Sequence, residues 1–195
     1  MLITRRQFIE NTTALAAGLA GSSCFANVLP RKQFFDISLA QWSLDKEFFG
    51  KKYDTLDFPA VAWKNFDIGI VEYVNQFFKD KANDKVFLSA LLQRCKDNGI
   101  KKHLIIIDGE GNLSNTNENE RTKAIENHYK WVDAAKYLGC KTIRVNAFGR
   151  DSREEVKMAT IDGLSRLGEF AGKSKLNVIV ENHGSIRRMA IGSCR

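Results

Sequence analysis

A carboxylate, an amide and an imidazole in a row, Glu181, Asn182 and His183, close an apolar run that extends from Leu176 to Val180. These are residue types from which acid–base and binding sites are built. By type alone, a glutamate at the end of a strand serves equally well as a partner in an ion pair on the rim. The same switch from apolar to polar recurs along the chain. Gln41, Trp42 and Ser43 follow one apolar run, Glu72 and Asn75 fall in a second, Asp108 and Glu110 follow a third, and Asn146 ends a fourth. His103 lies at the start of a run and His128 in a helical segment, and neither is assigned a site role.

The elements that carry these residues follow a regular rhythm. Strand-like runs occupy 36–44, 69–75, 102–111, 140–149 and 176–184. With Ile37, Gly69, Lys102, Cys140 and Leu176 as starts, the spacings are 32, 33, 38 and 36 residues, the length of one strand, one helix and two loops. The intervening segments carry helix signals. Ser152 with Glu155 three residues on forms a capping box ahead of Val156, Ala159, Thr160, Gly163, Leu164, Leu167 and Ala171 at helical spacing. The segment 117–139 has acidic residues in its first turn and Gly139 at its stop, 84–99 ends on Gly99, and Pro59 suits the first turn of a shorter helix.

Strands that are apolar on both faces and alternate with helices imply a parallel sheet covered by helices. A doubly wound sheet normally carries a glycine-rich phosphate loop after its first strand, whereas AQWSLDKEFFG offers none. A TIM barrel needs no such loop and collects its chemistry at the C-terminal strand ends, where this sequence turns polar each time. The expected fold is therefore α/β, a partial TIM (β/α) barrel of five parallel strand–helix units of eight. Eight units of about 35 residues would need roughly 280, close to the usual barrel of about 250, so a truncated product or partial gene model is expected, with a short five-strand fold as the alternative.

The chain has 195 residues, 44% hydrophobic and 27% charged, enough apolar material for one sizeable core. The +7 formal charge is spread over helix faces among Glu and Asp, which argues against a nucleic-acid partner. Arg5 and Arg6 followed by the mildly apolar stretch Ala14–Ala20 resemble a twin-arginine export signal over residues 1–26, too short to span a membrane. Periplasmic location follows, with lipidation at Cys24 as second choice and an amphipathic N-terminal helix as the plain alternative. Cys95, Cys140 and Cys194 show no paired spacing, and the first two read as small buried apolar residues.

The stretches ISLAQWSL, GIVEYVNQFF, LIIIDGEGNL, AAKYLGCKTIRVNAFG and above all LNVIVENHG resemble the sugar phosphate isomerase/epimerase family of xylose isomerase-like TIM barrels, across nearly all of 33–184, with 185–195 as an irregular tail. The resemblance implies an exported isomerase or epimerase of a sugar or sugar derivative. It maps the family's metal-binding, acid–base glutamate onto Glu181. A bound cation, manganese, magnesium or cobalt with zinc not excluded, would hold charge on an enediolate while the carboxylate moves the proton. The family's further ligands, an Asp, a His and a Glu from strands six to eight, have no counterparts here, so the site is expected to be incomplete.

In that frame His183 contacts substrate or orients Glu181, unless it is a loop histidine bonded to backbone. Asp108 and Glu110 reach sugar hydroxyls or serve as turn carboxylates. Asn146 and Glu72 are strand-end binding candidates, and Trp42 stacks on a sugar ring or plugs the barrel mouth. Three other readings stay open: a non-catalytic remnant or carbohydrate-binding module, a metal-dependent apurinic endonuclease-like barrel, and an enzyme of oxidised glycosides. The expected partner is a small carbohydrate.

Overall fold

The computed structural model describes residues 35–149 and 151–182. The export signal expected at 1–26, the tail at 185–195 and His183 lie outside the described residues.

Among the described residues, five parallel strands pair strictly in sequence order, β1 (Leu39–Ala40), β2 (Ile70–Val74), β3 (Lys101–Ile106), β4 (Thr142–Ala147) and β5 (Asn177–Asn182). Between them run α1 (Asp45–Phe49), α2 (Phe58–Phe66), α3 (Lys85–Asp97), α4 (Glu118–Leu138) and α5 (Arg153–Lys173). Right-handed crossovers between successive neighbours put every helix on the same face of the sheet. A doubly wound sheet must instead reverse its strand order. The order without reversal is that of part of a TIM barrel, as the spacing predicts.

The main core lies between the sheet and the helices, where Val71, Tyr73, Ile105, Ile143 and Val145 meet Leu88, Leu91, Ile125, Trp131, Val132 and Leu138, all fully buried. Burying side chains of this size stabilises by about 1.5–3 kcal/mol each, which is what holds the helices down. The helix starts are fixed by side chains. Asp84 accepts from the Phe87 N–H, Asn117 from those of Asn119 and Glu120, and Ser152 from that of Glu155. Pro59 sits in the first turn of α2.

Two features depart from the sequence reading. The first strand shrinks to Leu39–Ala40, and Gln41–Leu44 forms a 3-10 turn. The cause is Gln41: its buried Oε1 accepts from the Val74 N–H at 3.0 Å and its Nε2 donates to Thr55 Oγ1 at 3.2 Å, so a side chain replaces the backbone ladder. The strands are also not apolar on both faces throughout. The face turned from the helices packs Val74, Leu104 and Ile106 with Ala40, Trp42 and Phe77, but in register with them β4 and β5 present Arg144, Asn146 and Glu181. The apolar inner face thus gives way to a polar one on the last two strands.

Burial pushes the Cys140 thiol up to about 12, and raises that of Cys95, as suits small core residues.

Candidate active site

The polar inner face opens on a cavity of about 640 Å³ at the C-terminal strand ends, lined by Trp42, Gln76, Asp108, Gly109, Arg144 and Glu181. Register explains the gathering. Arg144 stands beside Ile106 on one side and Ile179 on the other, and Asn146 stands beside Glu181, so alternate residues of three strands share one surface.

Asp108 is the fixed point of this rim. Its Oδ2 accepts from Trp42 Nε1 at 2.9 Å and its Oδ1 from Asn146 Nδ2 at 2.5 Å. Its backbone N–H donates to Asn75 Oδ1 at 2.9 Å, and its carbonyl accepts from Asn75 Nδ2 at 2.9 Å and from Gln76 Nε2. Trp42 packs edge-on against Phe77, with ring centroids 5.2 Å apart, so its indole is aimed by a bond at one end and an aromatic contact at the other.

Glu181 reaches the same cavity and forms an ion pair with Arg144. Arg144 is a functional candidate that the sequence reading missed. The signal was present: an arginine inside the apolar strand TIRVNA, two residues before Asn146, must share a face with it. Among the described residues, the buried guanidinium Nε finds no hydrogen-bond partner, and neither does Asn146 Oδ1.

The other expected site residues are placed differently. Glu110 turns toward the helix layer, where its Oε1 accepts from Trp131 Nε1 at 2.6 Å and its Oε2 pairs with Lys130 Nζ at 3.0 Å. Glu72 lies mid-strand below the cavity and accepts from Ser38 Oγ at 2.5 Å. Trp42, Asp108, Asn146 and Glu181 are brought together; Glu72 and Glu110 stand apart from them.

Among the described residues, no group of three or more His, Cys, Asp or Glu is placed to hold a metal ion. Of the two carboxylates in the cavity, Asp108 has both oxygens engaged and Glu181 pairs with a guanidinium. Hard divalent cations take several oxygen ligands, so this donor set by itself does not fit one.

His128 is 2% exposed, with its Nδ1 at 2.7 Å from the Ala124 carbonyl, to which it donates. Burial holds its imidazole below the ordinary value, opposed by the Ala124 carbonyl and the nearby Glu110, and assisted by Lys130. The unfolded chain then binds the proton more readily than the folded one. The stability this group contributes is complete above the unfolded value, about 6.5, and falls as pH drops below it, by at most about 1.4 kcal/mol per pH unit. Urea midpoints at pH 7.5 and 5.5 are expected to show the fall, and His128→Phe, which takes up no proton, to reduce it. Equal pH dependence in both proteins would refute this.

A family model described as a xylose isomerase-like TIM barrel matches residues 55–189. The chain belongs to that family. Solved structures similar to this xylose isomerase-like barrel include an IolI protein with a bound zinc atom, at TM-score 0.61 and 16% identity, covering 77% of this chain and 52% of that one. A sugar phosphate isomerase/epimerase from Parabacteroides distasonis gives 0.57 and 16%, covering 76% and 51%. A D-psicose 3-epimerase in the presence of D-fructose gives 0.54 and 15%, covering 74% and 51%. At such identities the likeness is one of fold, and the xylose isomerase-like chain spans about half the length of these proteins. No curated protein matches it significantly. Among its described residues no helix is long and apolar enough to cross a membrane.

Proposed function

We propose that the cavity binds a small carbohydrate and that the chain carries the proton-transfer part of a sugar isomerase or epimerase site, with Glu181 as the acid–base group. The observation that carries this is the meeting of Glu181, Arg144, Asp108 and Trp42 in one cavity at the C-terminal strand ends, where TIM-barrel chemistry is done. The structural neighbours, among them a sugar phosphate isomerase/epimerase and a D-psicose 3-epimerase, support the substrate class.

Each residue has a part in this reading. Removing the proton next to a sugar carbonyl leaves negative charge on the carbonyl oxygen, and a fixed cation beside that oxygen lowers the barrier. Arg144 supplies such a charge, with a buried Nε–H donor not yet used. Glu181 takes the proton from one face of the carbon. For isomerisation it returns it to the neighbouring carbon while the hydroxyl proton passes between the two oxygens through water. For epimerisation water or a second acid delivers a proton to the opposite face as Glu181 loses its own to solvent. Trp42, held by Asp108 and Phe77, offers an apolar face to the ring. A divalent cation would add further charge stabilisation, but it needs ligands beyond the described cavity residues.

The test is exchange of the sugar's α-hydrogen for deuterium in D2O, followed by NMR with D-fructose and the full chain. Exchange is expected, and Glu181→Gln should lower its rate by roughly 10²–10⁴, the usual contribution of a positioned acid–base group. Undiminished exchange in that variant would remove Glu181 from the role. Binding of the sugar without exchange favours the second reading, a carbohydrate-binding module, which the Arg144–Glu181 ion pair supports by neutralising the carboxylate.

A further inference from the structure

Behind the Asp108–Asn146 pair lies a second cavity of about 300 Å³, bordered by His128, Asn112, Asn146 and Phe148 and sharing Gly109 with the first. It is served by polar atoms that are otherwise unused. His128 spends Nδ1–H on the Ala124 carbonyl, which fixes the tautomer and leaves Nε2 as an acceptor on the opposite ring edge. Asn146 gives its Nδ2 to Asp108, and its buried Oδ1 has no partner among the described residues. Asn112 spends Oδ1 on the Ser114 N–H at 2.9 Å, which leaves its Nδ2 as a donor.

A buried acceptor left unmade costs about 1–3 kcal/mol, so the Asn146 Oδ1 beside this cavity calls for an occupant, which the His128 Nε2 on its wall can also meet. Among the described residues, the lining holds acceptors and a donor but no formal charge. An anion would face the Nε2 lone pair and the Asn146 carbonyl oxygen, both repulsive. A hydroxyl group donates and accepts at once and meets this mixture.

We propose that the cavity is a subsite for the far hydroxyls of a neutral sugar chain whose carbonyl end lies in the first cavity. The inference rests on the carbohydrate reading above and deepens it: the substrate is long enough to pass Asn146 and uncharged where it does so. Water alone is the competing occupant, since a volume of this size holds about ten molecules at liquid density.

The test compares D-fructose, long enough to fill both cavities, with dihydroxyacetone, which fills only the first. Affinities are measured by titration of the full chain, of His128→Phe and of Asn112→Asp. Asn112→Asp keeps the Oδ1 that holds the turn, and replaces the donor by a charged acceptor that faces the Nε2 and Asn146 oxygen acceptors. The preference for D-fructose should fall roughly 3- to 10-fold in each variant, the loss of one hydrogen bond. If His128→Phe does not fold, Asn112→Asp and the wild-type imidazole decide. The His128 ¹⁵Nε2 resonance should move on adding D-fructose and stay with dihydroxyacetone. An unchanged preference, or a resonance indifferent to both sugars, means a water-filled void only and overturns the subsite while leaving the first cavity's reading intact. Failure of the wild-type chain to bind either sugar overturns both.

Discussion

Replacing Gly163 by alanine is expected to destabilise the protein by about 3 kcal/mol or more, although alanine in a helix interior normally gains about 1 kcal/mol over glycine. The reason is a backbone contact. A Cβ built at Gly163, within α5, would lie 2.0 Å from the carbonyl oxygen of Leu113 and 3.0 Å from its carbon. Neither atom belongs to a side chain that could swing aside. Leu113 is fully buried, and the neighbouring Ser114 accepts a 2.8 Å hydrogen bond from Thr160 of the same helix, so the segment leading into α4 is clamped against α5. The helix must lift or the loop must shift, and either opens the packing between α4 and α5. A chain of this size loses about 2–4 °C of melting temperature per kcal/mol, so a drop of roughly 6–12 °C is expected by calorimetry. A melting temperature equal to wild type or higher would show that the two elements do not touch this closely.

Trp131→Ala is the second large effect, about 3–5 kcal/mol. The indole is fully buried, meets Phe78 edge-on with centroids 5.2 Å apart, and donates to Glu110 at 2.6 Å. Truncation empties the centre of the helix-facing core and removes one of the groups that hold the Glu110 carboxylate. Trp131→Phe separates these contributions, because it retains most of the ring and loses the hydrogen bond, at about 1 kcal/mol. Glu110 keeps Lys130 in that variant. Urea denaturation of the pair checks the split, and similar losses for both would place the energy in the hydrogen bond instead of the packing.

Glu110 also shows where sequence reasoning stops. The rhythm of strands and helices, the caps at Ser152 and Asn117, and the polar strand ends are local properties, so they were legible along the chain. The direction of a loop side chain is not local. Asp108 and Glu110 differ by two positions in DGEG, yet one turns to the cavity and the other to Trp131, because Gly109 between them, with φ of +76°, redirects the backbone. Gln41 was hidden for a similar reason, since its task is to satisfy an N–H on another strand. Arg144 was legible by alternation but was overlooked among apolar neighbours, and its pairing with Glu181 depends on a register between β4 and β5 that no single strand specifies.

The unbroken strand order also bears on how the chain acquires its structure. Each described strand finds its sheet partner one strand–helix unit away, so among the described residues no pairing waits for a distant part of the polypeptide. Assembly can therefore advance from the N-terminal side as the chain emerges during synthesis, each new unit docking on the one before it. The two arms of the cavity are completed in turn: Trp42 and Asp108 come first, and the Arg144–Glu181 couple is created only when the fifth strand arrives.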